Sequence, residues 1–207
     1  MILEFLTLLS LGVVVGLSGA VIPGPLFAFT VFDTSRKRAI TGHRIILGHA
    51  VWESVIILII LLGFGGLMTR NTLVIYIVGG VALAFMGVSM IRSKGREISM
   101  ENSRVNSSFV GGIFYTAFNP TQPLWWATAG LALLLTGLEV MGIMGVFIVT
   151  AGHWLSDLAY YSFVSFMVHR HERYINPHQK TISIVLGVFM ALLGAYFLIQ
   201  SIQQLVL

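Results

Sequence analysis

Cysteine is absent from the 207 residues. That excludes a membrane thiol–disulfide carrier, thioether haem attachment and any thiolate metal site. Charge is scarce too: Asp, Glu, Lys and Arg make up 10% of the chain, where soluble domains carry about one quarter. So few charges cannot cover a water-facing surface. No Gly-rich loop ending in Gly-Lys-Ser or Gly-Lys-Thr is present, which argues against ATP hydrolysis. There is no His-Glu-x-x-His for a metalloprotease and no run of arginines for a voltage sensor. The chain reads as no enzyme, and no cofactor is implied.

What the sequence has instead is apolar length. Hydrophobic residues reach 57% and the mean hydropathy is +0.91. A bilayer core needs about 20 apolar residues per helix, so about six crossings fit with short connections. The expected helices are Phe5 to Phe32, Ile45 to Leu67, Leu73 to Ile91, Phe109 to Leu135, Met141 to Val168 and Thr181 to Leu205. Ser18-Gly19-Ala20 imitates a signal cleavage site, but the start carries Glu4 and no Lys or Arg. The first segment is therefore expected to be a helix of the protein.

The 12 basic residues are unevenly spread. They form three groups: Arg36, Lys37, Arg38 and Arg44; Arg92, Lys94, Arg96 and Arg104; Arg170, Arg173 and Lys180. Only Arg70 lies elsewhere. Such patches can bind nucleic acid or lipid head groups, but here they fall in alternate loops. That is the positive-inside pattern, which predicts no nucleic-acid partner, a lipid bilayer around the chain and both termini outside. His43, His169, His171 and His178 fall at or beyond helix ends and read as solvated.

Two signatures interrupt the apolar runs. Gly48-His49-Ala50-Val51-Trp52-Glu53 lies in helix two and Gly152-His153-Trp154-Leu155-Ser156-Asp157 in helix five. Residues four apart share a helix face, so His49 lies over Glu53 and His153 over Asp157. At 1.5 Å per residue, Glu53 lies about 12 Å and Asp157 about 17 Å from the basic ends of their helices, in the middle third of the bilayer. A charge at that depth costs roughly 2.5–3.5 kcal/mol on insertion scales, more than the about 0.6–2 kcal/mol of a helix-gluing hydrogen bond. Imidazole and carboxylate can exchange protons near neutral pH or together ligate a divalent metal.

Helices one and four each carry a break, at Ile22-Pro23-Gly24-Pro25 and at Asn119-Pro120. Proline removes a backbone donor and clashes with the preceding turn, and the freed backbone is tolerated at membrane depth only in protein or at a wet cavity. A restarted half-helix offers a positive N-terminus suited to an anion. Helices three and six match as well, with glycines seven apart in Gly80 to Gly87 and in Gly187 to Gly194. The expected fold is all-α and integral to the membrane. Its six transmembrane helices form two inverted three-helix repeats, residues 1–92 and 109–207, joined by the polar connection 92–108 in a single domain. Trp52 and Trp154 lie too deep for interface anchors and read as pocket walls; Trp125 and Trp126 follow the second break.

On Pro23-Gly24-Pro25, the basic connection Arg36 to Gly42, Asn119-Pro120, Asp157 and the short apolar sixth helix, the whole chain resembles the LysE-type amino-acid exporters. The resemblance is strongest to their homoserine/threonine-efflux branch. It implies export of small amino acids or derivatives across a prokaryotic plasma membrane, driven by proton or ion exchange. Two features depart from that pattern. Thr121 and Gln122 follow the break where a Lys often stands, and His49 and His153 are additional. The expected substrate site is Pro23, Gly24, Pro25, Asn119, Pro120, Trp52 and Trp154, with Glu53, Asp157, His49 and His153 coupling protons or ions. The alternatives are a divalent-metal exporter using both His–acid pairs and a membrane scaffold without transport. The sequence leaves the solute, the coupling ion and a homo-oligomer open.

Overall fold

The computed structural model describes residues 1–21, 24–64, 71–93 and 107–206, and among them there is no strand. Pro23, Arg70, Lys94, Arg96 and Arg104 lie outside the described residues, as does most of the polar connection. The helices are α1 (Ile2–Ala20), α2 (Pro25–Lys37), α3 (Gly42–Ile59), α4 (Thr72–Ser93), α5 (Ser108–Ala117), α6 (Thr121–Trp125), α7 (Leu131–Arg170), α8 (Glu172–Ile175) and α9 (Gln179–Val206). Wide π-turns continue α3 through Ile60–Phe64 and join α6 to α7 through Trp126–Gly130. Among the described residues, four stretches are long and apolar enough to cross a bilayer: Ile2–Ala20, Gly42–Gly63, Thr121–Arg170 and Lys180–Gln204.

The 40 residues of α7 would span about 60 Å at 1.5 Å per residue, twice the hydrocarbon core. They do not run straight. Met141 (φ −136°, ψ 21°) and Gly142 (φ 60°, ψ −147°) leave helical geometry, and only glycine takes the second conformation without strain. Beyond this point the chain folds back, so that a Cβ on Gly137 would stand 2.7 Å from the Gly145 carbonyl carbon. The expected connection between Leu135 and Met141 is thus shortened to a two-residue reversal. The end expected at Leu67 lies outside the described residues; the other boundaries differ from expectation by a turn or less at most ends, the largest shift being α2, which continues past Phe32 to Lys37.

The exterior is apolar, and the interior joins apolar clusters to a group of buried polar side chains. Val14, Phe85, Phe147 and Leu192 are each at least 65% exposed, a surface suited to lipid. Asp33, His49, Glu53, His153 and Asp157 are all buried. Without a hydrophobic drive between lipid-solvated helices, packing depends on small residues that let backbones approach. Here α1 packs on α7, α3 on α5 and α4 on α9. In each pair glycine supplies the closeness. A Cβ on Gly48 would overlap the Phe109 carbonyl oxygen, and one on Gly152 the Leu9 carbonyl oxygen. Gly80 meets Gly194 and Gly87 meets Gly187 in the same manner.

A buried polar knot ties the end of α2 to three other helices. The Lys37 ammonium lies 2.8 Å from Asp33 Oδ1, and the Ser108 hydroxyl donates to Asp33 Oδ2 at 2.8 Å. Beside it, the Thr34 hydroxyl lies 2.8 Å from that of Thr41 and 2.9 Å from that of Ser165, and the Thr41 amide donates to Ser165 Oγ.

The glycine contacts make a prediction. Gly48→Val forces α3 away from α5, and overpacking of this kind costs about 1–3 kcal/mol. The variant's melting temperature in detergent should fall, whereas Leu47→Ala, on the 59% exposed neighbour, should leave it unchanged. Equal stability of both would show that the approach is not needed.

Candidate functional site

Glu53 is 1% exposed and sits where α3, the α6–α7 turn and the second limb of α7 converge. A buried carboxylate must be matched by donors or by positive charge. Glu53 is surrounded by them. The indole N–H of Trp126 donates to Oε1 at 2.9 Å and that of Trp154 to Oε2 at 2.8 Å. The Gln122 amide donates to Oε1, and His153 Nε2 lies 3.1 Å from Oε2.

The two His–acid pairs are one group. His49 Nε2 is 3.2 Å from Glu53 Oε1 and 3.3 Å from Asp157 Oδ2. His153 Nε2 is 3.1 Å from Glu53 and 3.4 Å from Asp157 Oδ2. Each imidazole therefore spans both carboxylates, one from each signature. Spacing alone placed His49 over Glu53 and His153 over Asp157; these contacts exist, and the crossed ones are equally short. Donor atoms of all four side chains lie within 4.8 Å of one another.

The rings are held from behind. His49 Nδ1 is 2.9 Å from Thr116 Oγ1, whose hydroxyl donates to the Gly112 carbonyl at 2.7 Å. With that proton committed, Nδ1 is the donor and Nε2 is left to face the acids. His153 is stacked on Trp125 (centroids 4.9 Å apart) with Trp126 edge-on at 5.3 Å. Its ring also needs Gly16, where a Cβ would stand 2.6 Å from His153 Nδ1.

A cavity of about 170 Å³ opens beside the group, room for about six waters at about 30 Å³ each. Gly24, Pro25, Leu26, Asn119, Thr121, Gln122 and Tyr161 line it with the four donor residues. Pro25 is the first residue of α2, with Gly24 extended before it, so the N-terminal end of that helix lies at this wall. Asn119 Oδ1 accepts from the Thr121 amide at 3.1 Å and its hydroxyl at 2.8 Å.

Of the residues expected from sequence, Gly24, Pro25, Asn119, His49, Glu53, His153 and Asp157 line the cavity together, and Trp154 holds Glu53. Pro23 lies outside the described residues. Pro120 instead packs against Gly79 of α4. Trp52 is half-buried against the apolar cluster of Leu8, Ile56 and Trp126. Sequence reasoning missed Thr116, Gln122 and Trp126. Gln122 carried a signal, a polar side chain two residues after a proline in an apolar run.

A lipid-facing exterior around a charged, cavity-bearing interior defines an integral membrane protein built to handle polar species. Residues 17–201 match the model of the LysE type translocator family. The chain belongs to that family, whose members are transporters. No curated protein and no solved structure matches it.

Trp126 is fully buried and gives Glu53 one of its donors. Trp126→Phe keeps the ring and removes the N–H, leaving an acceptor short by one bond at a cost of about 1–3 kcal/mol. Thermal unfolding of the purified variant should shift down accordingly; an unchanged midpoint would mean that this donor is dispensable.

Proposed function

We propose that this protein is a secondary-active exporter of small amino acids or closely related zwitterions, coupled to proton or ion exchange. The observation that carries the reading is the joining of Glu53 and Asp157, from distant parts of the chain, at one buried cavity. Family membership supports export. The cavity walls support a zwitterion: the first turn of α2 suits a carboxylate, and the acid pair suits an ammonium. The family's frequent Lys after the break is replaced here by Thr121 and Gln122, and Gln122 is turned onto Glu53.

The six helices act as two inverted repeats that rock about the site. Reciprocal contacts support this arrangement. Gly48 against Phe109 has its counterpart in Gly152 against Leu9, and Gly80 against Gly194 in Gly187 against Gly87. The reversal at Gly142 supports separate crossings for helices four and five. His49 and His153 keep the acids neutralised while the site is empty and yield them to the solute when it binds. Divalent-cation export is the second reading, favoured by the closeness of the four donor atoms.

Glu53→Gln and Asp157→Asn should each abolish amino-acid counterflow in proteoliposomes while leaving yield and elution profile intact. Full counterflow in both would exclude this mechanism. Lowered stability with no measurable flux in the unaltered protein would point to a scaffold.

A further inference from the structure

We propose that His49, Glu53, His153 and Asp157 form a tetrahedral binding site for one divalent transition-metal ion of the zinc class. The inference deepens the exporter reading by naming a species its central site accommodates, but the binding itself stands on the geometry of the four side chains.

Distance is the first support. A tetrahedral ion with bonds of about 2.0–2.2 Å to nitrogen and oxygen places its donors roughly 3.3–3.6 Å apart. Taking one atom per residue, His49 Nε2 is 3.2 Å from Glu53 Oε1 and 3.3 Å from Asp157 Oδ2. His153 Nε2 is 3.3 Å from Glu53 Oε1 and 3.4 Å from Asp157 Oδ2. Four of the six donor–donor distances thus already have nearly the spacing of a coordination shell, and all four atoms lie within 4.8 Å of one another, so a small closure completes the shell when the ion binds.

Unmatched polarity is the second. Asp157 is 3% exposed, and its Oδ2 has no hydrogen-bond partner although both imidazole nitrogens are near. Once the imidazoles are neutral, as metal ligands must be, a buried carboxylate oxygen in this position calls for a positive species beside it. The two carboxylates with neutral imidazoles carry a formal charge of −2, which one divalent ion cancels.

Support from behind is the third. Metal-bound imidazoles donate their other N–H to an acceptor, and metal-bound carboxylates are themselves hydrogen-bonded. His49 Nδ1 has Thr116 Oγ1 in that role, and Glu53 has Gln122, Trp126 and Trp154; His153 Nδ1 has no such acceptor, and its ring is held by the stack on Trp125 instead. The mixed N2O2 set favours zinc, cobalt or nickel over calcium and magnesium, which take oxygen donors, and the lack of thiolates disfavours Cu(I).

The test uses tag-free protein in detergent, stripped with chelator and titrated with Co²⁺ and then Zn²⁺. The expected result is one ion per chain, with the intense visible bands of tetrahedral Co²⁺ bleached by Zn²⁺. His153→Ala should lose the bands. Thr116→Val keeps all four donors and should weaken binding about 10–100-fold, which guards against a His153 variant that merely misfolds. No binding, or binding that survives His153→Ala with unchanged bands, overturns the proposal and leaves the four residues an ion-paired helix contact. Amino-acid counterflow in proteoliposomes reconstituted from the same protein separates the two claims. Counterflow in chelator without metal binding overturns this inference alone; stoichiometric metal binding without any counterflow supports it and removes the amino-acid reading.

Discussion

A carboxylate at the centre of an apolar bundle cannot be left bare, and the interior of this protein is organised around meeting that demand for Glu53. Its donors come from His153 and Trp154 on α7, Trp126 in the turn before it and Gln122 on α6. None of these elements can move far without stripping the acid. Insertion of such a charge costs roughly 2.5–3.5 kcal/mol, so the network that receives it also fixes where the helices sit. Asp157 is matched less fully, and this difference between two otherwise similar acids gives the site its chemical direction.

Packing makes the network reachable. Lipid offers no hydrophobic drive for helix association, so close contact must come from small residues and shape. Gly12 and Gly16 let α1 press against the His153 segment, and Gly48 and Gly112 do the same between α3 and α5. The same close approach that brings backbones together brings His49 within reach of Thr116 and His153 within reach of Glu53. Many large apolar side chains, Phe85, Phe147 and Leu192 among them, are turned outward, where lipid rather than protein is their natural solvent.

The parts of this arrangement that were legible in the sequence are those set by local periodicity. His49 and Glu53 four apart, and His153 and Asp157 four apart, could be placed on one helix face before any tertiary contact was known. The apolar runs gave the helices, and Gly24, Pro25 and Asn119 were recognisable as interruptions. The crossed contacts were not legible, because they depend on which helices meet. Trp126 was hidden for a related reason: adjacent tryptophans in a membrane helix read equally well as anchors, and only the turn before α7 aims one indole N–H at Glu53. Trp52 went the other way, since depth alone does not say whether a side chain faces a cavity or an apolar cluster. The buried Asp33 was overlooked because Arg36 and Lys37 made its surroundings look like a solvated loop.

Alternating access requires that the cavity beside Glu53 be reached from the two sides of the membrane in turn. A chain without cysteine allows that to be read directly, by placing a single thiol at Thr121→Cys on the cavity wall and labelling with a membrane-impermeant maleimide from each side. Labelling should occur from one face in the resting protein and transfer to the other when a transported solute or an opposing ion gradient is applied. Labelling from the same face under every condition, or from both faces at once, would contradict an alternating site and require a different role for Glu53.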